Sequence, residues 1–108
     1  MTAAFAVGRH DVVDGVVALT VVGELDRVSG GILTRMTLEA VAGDVTEVVV
    51  DLARVTWLDA AGVDALLLGH GAALRAGCSY RVARPSGLVQ YVLETTDRDR
   101  RLRVSATG

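Results

Sequence analysis

The chain is predicted to be an α/β protein: a mixed β-sheet with parallel central strands and packed α-helices. Three observations predict this. Short β-branched runs alternate with stretches of helical periodicity, an Asp-Gly turn joins the first two runs as in a hairpin, and cap or turn residues bound the helical stretches. A strand–helix–strand unit closes right-handed, so alternation after an opening hairpin sets the central strands parallel.

Residues 5–13 predict an edge strand that turns at Asp14-Gly15. Residues 16–22 (VVALTVV) are continuous and β-branched, as a buried strand requires, and Gly23 ends them. Over residues 29–42, Ile32, Leu33, Met36, Ala40 and Val41 recur at helical spacing until Gly43-Asp44 turns the chain. Residues 47–52 (EVVVDL) form a second central strand, and a loop then leads to Asp59. Asp59 precedes AAGVDALLLGHGAALRAG, a helical run closed by Gly77. Trp57 is expected in or beside the core, just before that helix. Residues 80–83 make a further short strand, Pro85-Ser86 opens a helix carrying Leu88, Val89, Val92 and Leu93, and residues 101–104 finish as an edge strand.

At 108 residues and 51% hydrophobic, the chain fits a single domain over residues 1–108 with a core of its own. The one cysteine, Cys78, has no partner for an internal disulfide, and no Cys/His spacing suits a structural zinc. A reducing cytoplasm is the expected home. No run approaches the roughly 18 apolar residues of a membrane span, and the start MTAAFAVGRHD resembles no secretory leader. A net charge of -2, with 11 basic residues spread along the chain and 4% aromatics, gives no footprint for nucleic acid.

Catalytic patterns are missing from the sequence as well. His10 and His70 each lack a second ligand at a metal-binding spacing, and Gly30-Gly31 and Gly69-x-Gly71 sit in the wrong context for a phosphate loop. Cys78 follows a helix-ending glycine with no basic neighbour that would activate it. The expectation is neither an enzyme nor a cofactor-binding protein.

Residues 48–62 stand out, because a buried strand there leads to an acidic helix start. Free N–H groups and the helix dipole can receive a partner's polar groups at such a point. From periodicity alone, Asp59 reads rather as a plain cap, worth about 1 kcal/mol to the fold. In the helix that follows, Val63, Leu67, His70 and Leu74, with Leu66 and Ala73, are the expected core stripe. Ala61, Ala65, Leu68 and Ala72 make a second stripe, either a flat surface for another protein's helix or a face covered by the chain's own elements. Gly69 and Gly71 each cost about 1 kcal/mol against alanine in a helix, which close packing would justify.

Two motifs in order resemble the STAS domain family of bacterial anti-sigma factor antagonists. Gly23-Glu24-Leu25-Asp26 resembles the family's G-E-L-D loop. The segment DLARVTWLDAAGV, residues 51–63, resembles its D-L-S-x-V-x-F-[IL]-D-S-[ST]-G-[LV] core, and RVARPSGLVQYVLETTDRDRRLRV, residues 81–104, is similar to its closing strand, helix and edge strand.

The resemblance implies a STAS-like fold and a non-catalytic regulatory module, binding a GHKL-type anti-sigma factor kinase in partner switching, as a monomer or weak homodimer. Asp26 and Asp59 carry over by motif position, as does the segment Ala60, Ala61 and Gly62; Ser29, Asp64 and Leu68 join the expected contact surface by spacing. The family's phospho-acceptor position is Ala61 here. Either the switch is locked in its binding state, or regulation lies elsewhere, or an engineered Ser-to-Ala change is present. An alternative keeps the fold and makes the chain a STAS subunit or docking module of a transport ATPase or a nucleotide-sensing system.

Overall fold

Asp14-Gly15 makes a two-residue turn, with Gly15 at a φ of 79° that a side chain would strain. It joins β1 (Ala6–Val13) to β2 (Val16–Leu25) as an antiparallel hairpin in which Val13 faces Val16. The computed structural model describes residues 5–97 and 100–106; residues 1–4, on which the reading of the N-terminus partly rests, lie outside them. After the hairpin come α1 (Arg27–Val41), β3 (Glu47–Leu58), α2 (Ala60–Arg75), β4 (Ser79–Ala83), α3 (Gly87–Thr96) and β5 (Val104–Ser105).

The sheet order is β1-β2-β3-β4-β5, and β2 through β5 run parallel to one another. Alternate side chains supply the core: Val17, Leu19 and Val21 from β2, Val48, Val50 and Leu52 from β3. Leu33 of α1, Leu66 of α2 and Val89 of α3 pack into that same cluster.

The two central strands are longer than expected. β2 continues past Gly23, whose φ of 93° accommodates a one-residue shift of register, so Glu24 and Leu25 belong to the strand rather than to a loop. β3 reaches Leu58, leaving no loop before Asp59, because the added residues of β2 supply partners: Gly23 faces Val55, Glu24 faces Trp57 and Leu25 faces Leu58. The irregular register turns Trp57 outward, so it is 45% exposed and not a core residue.

The closing edge strand is shorter than expected and shifted, at Val104–Ser105 instead of residues 101–104. The buried Asp97 carboxylate takes the N–H groups of Arg101 and Leu102 at 3.2 and 2.9 Å, so those residues are bound to a side chain rather than to β4.

Helix α2 corrects one expectation, that of a buried Leu74, and bears on an alternative left open. Leu74 is exposed, while Ala65 and Ala72 are buried. Of the second stripe, Ala65 and Ala72 are therefore covered by the chain itself, while Ala61 is half-buried and Leu68 stays exposed. α1 lies along it so closely that a Cβ on Gly30 would stand 2.9 Å from the Cβ of Ala65. Gly69 has the expected packing reason, since a Cβ there would meet the Tyr80 hydroxyl at 2.8 Å. Gly71 does not, having only an Arg75 guanidinium nitrogen at 3.4 Å. Tyr80 is buried with its hydroxyl unpartnered, edge-on to His70 at 6.0 Å between centroids, and burial pushes its phenol pKa well up. The buried Cys78 thiol donates to the Val45 carbonyl at 3.0 Å, a structural role.

Candidate protein-binding site

Two helix starts meet at the end of the long β2–β3 pair. Asp26 is the extended N-cap of α1, and its carboxylate accepts from Val28 N and Ser29 N at 3.0 and 3.1 Å. Ser29 completes a capping box: its hydroxyl accepts from Asp26 N at 3.0 Å and donates to the Glu24 carbonyl at 2.8 Å. The Ser29 N–H, ahead of the smaller opposing effect of desolvation, holds the Asp26 carboxyl below the usual aspartate range.

Asp59 caps α2 more simply. Its carboxylate accepts one N–H, from Gly62 at 2.9 Å. The glycine is required by what faces it, because a Cβ there would lie 2.2 Å from the Leu25 carbonyl oxygen. Gly30 against Ala65 sets α1 and α2 side by side, and Gly62 against Leu25 seats the start of α2 on the end of β2.

That packing divides the sequence-predicted site residues. Ala60, Asp64 and Leu68 are exposed, and their spacing of four places them along one face of α2, with Leu68 61% exposed. Ala61, Asp26 and Asp59 are half-buried. Ser29 and Gly62 are buried and hydrogen-bonded within the chain, so as contact residues both are corrected: they shape the site from below. Sequence reasoning missed exposed Val28 in the first turn of α1, and exposed Trp57 just before the α2 cap. Val28 stands two residues after the Asp26 cap, in the first turn of α1, and no local pattern in the sequence marks it as exposed. The exposure of Trp57 depends on the shifted register, which no local pattern marks.

Asp51, which opens the second motif, lies away from this surface. It forms an ion pair with Arg84 and accepts from Ala53 N at 3.0 Å, tying β3 to the turn before Pro85. Desolvation raises its pKa, but the bonds from Arg84 and Ala53 outweigh that and leave it lowered. Arg84 has a φ of 54°, a left-handed backbone that this contact helps to hold. Among the described residues, no group of three or more His, Cys, Asp or Glu could hold a metal ion. No helix among them is long and apolar enough to cross a membrane.

A family model described as "Mlab, STAS domain" matches residues 9–104. The chain belongs to the STAS domain family. The sheet order and the three helices recur in solved structures. An anti-sigma factor antagonist from Mycobacterium paratuberculosis superposes with a TM-score of 0.82 at 23% identity, over 96% of this chain and 87% of that one. The anti-sigma factor antagonist SpoIIAA in its unphosphorylated form gives 0.78 at 20% identity, over 92% and 87%. A sulfate transporter family protein from Wolinella succinogenes gives 0.78 at 19% identity, over 91% and 82%. No curated protein matches by sequence. At these identities the structures show a shared fold, on which STAS domains of different systems are built.

Proposed function

We propose that this STAS domain is a non-catalytic protein-binding module of the anti-sigma factor antagonist type. Its partner is an anti-sigma factor kinase of the GHKL class, and the docking surface runs along Ala60, Asp64 and Leu68, bordered by Asp26, Asp59 and Val28. The observation that carries this reading is the α2 start. There Ala60 and Asp64 are exposed, with exposed Leu68 one turn further along the same face, on a backbone that Gly62 and Gly30 fix in place. Leu68 supplies apolar burial, and Asp64 orients the partner. The fold shared with two anti-sigma factor antagonists supports the partner class.

Ala61 occupies the position that the motif resemblance assigns to phosphorylation. Alanine has no oxygen to accept a phosphoryl group, so no new charge can build up there and ATP will not release the partner through this residue. The test is calorimetry of the chain against candidate kinases, with and without ATP and magnesium. Binding that survives ATP, and that becomes ATP-sensitive in Ala61→Ser, is the expected result. Phosphate incorporation into the unaltered chain with release of the kinase would contradict it.

A second reading is favoured by the likeness to a sulfate transporter family protein. In it, the same α2 face docks on a transport ATPase. Co-purification separates the readings: an ATPase subunit with its permease supports the second, a kinase with a sigma factor the first.

A further inference from the structure

We propose that the outer edge of β1 is a self-association surface, on which a second copy of this chain adds its own β1 antiparallel across a two-fold axis at His10. This goes beyond the partner proposed above and uses the opposite side of the sheet from β5.

The two sheet edges differ sharply. β5 has two residues, whereas β1 has eight and carries no proline along its length. An edge so long offers its free backbone groups to another strand unless something opposes pairing. Its side chains favour a copy of itself. Arg9 and Asp11 flank His10 symmetrically, so a two-fold at His10 sets Arg9 opposite Asp11 of the second copy, and Asp11 opposite its Arg9. Both side chains lie on one face, since they form an ion pair within the strand at 3.4 Å and stand across from core residues Leu19 and Val17. Both are also available, with side-chain exposures of 42% and 77%, beside an open cleft of about 460 Å³ at the base of the hairpin. Directly opposed residues in an antiparallel pair lie closer together than residues two apart along a strand, so each charge gains a nearer partner than the one it has. Shifting the axis by one residue puts Arg9 opposite Arg9 or Asp11 opposite Asp11, so charge selects this register.

At the flanks, exposed Val12 falls opposite Gly8 of the second copy, where no side chain obstructs it. The irregular register of β1 between Asp11 and Val13 limits the pairing to a short stretch around His10, so the dimer is weak and concentration-dependent.

Sedimentation velocity over a concentration series tests this on the full chain. The expected result is a monomer–dimer equilibrium whose dissociation constant rises by about tenfold or more in Arg9→Asp and in Asp11→Arg, because each places like charges opposite one another. Mixing the two variants in equal amounts should restore dimers, since an acidic pair at positions 9 and 11 then faces a basic pair. The swapped double variant Arg9→Asp/Asp11→Arg should dimerise like the wild type, and it keeps the test decisive if either single substitution unfolds the chain by circular dichroism. A chain that stays monomeric to its solubility limit overturns the proposal, as does a dimer indifferent to both charge reversals.

Discussion

Helix α1 and helix α2 both begin at an aspartate that follows a buried strand end, yet the two starts are built to different ends. At α1, Asp26 takes two N–H groups, and the buried Ser29 hydroxyl returns a bond to the strand, so polar groups of that turn are consumed internally. At α2, Asp59 takes a single N–H, and the exposed Ala60, Asp64 and Leu68 rise from the cap without cover. The difference teaches that a capped helix start is not by itself a contact surface. α1 serves as the support against which α2 is held through Gly30, with Gly62 seated on the end of β2, and α2 presents the groups a partner can reach.

The largest way to break this arrangement is Gly62→Ala, which drives a Cβ into the Leu25 carbonyl oxygen. It should cost about 3 kcal/mol, or prevent folding, in chemical denaturation. Ser29→Ala sharpens the comparison. It removes a buried hydroxyl whose partners are then left unpaired, and should cost about 1.5 kcal/mol while leaving partner affinity unchanged at temperatures well below melting. Asp59→Ala should show the reverse emphasis, with about 1 kcal/mol lost and partner binding weakened. Ser86→Ala, at the α3 cap, is the control for a cap loss away from the surface. If Ser86→Ala weakens binding as much as Asp59→Ala does, stability alone explains the effect.

Acid gives the smallest effect. Asp26 and Asp51 are both held below the ordinary aspartate range in the folded chain. Their contribution is complete above the unfolded value of about 3.9, and is lost as pH falls through the lower folded values. Asp26→Asn keeps a side-chain oxygen for the cap but cannot titrate. Its melting temperature should therefore fall less steeply than that of the wild type below about pH 4.

The Asp59 cap was legible in the sequence, because a short acidic side chain ahead of a periodic apolar run has few other readings. The Asp26 cap was not, since the periodic apolar run of α1 starts only at residue 29 and the helix itself begins at Arg27. The hairpin, the order of elements and the close packing at Gly69 were legible for similar local reasons. The lengths of β2 and β3 were not, since each extension exists only because the other supplies its hydrogen bonds, and that pairing joins residues about thirty apart. The second alanine stripe could not be assigned from sequence, because nothing near it in sequence shows what covers it; Ala65 is covered by α1, brought close by the missing Cβ of Gly30, while Leu68 stays exposed. Ser29 looked like a surface residue for want of recognising that Asp-x-x-Ser can close a capping box with the serine in the third position.

The central claim, that the exposed face of α2 carries the partner contact and α1 only supports it, is tested most directly by calorimetric titration of a GHKL-type anti-sigma kinase. The wild type is compared with Leu68→Glu and with Leu38→Glu, a matched charge on an exposed leucine of α1. Leu68→Glu should weaken binding by at least about tenfold, with Leu38→Glu close to wild type. Wild-type affinity in Leu68→Glu, together with loss in Leu38→Glu, would place the contact on α1 and contradict the account.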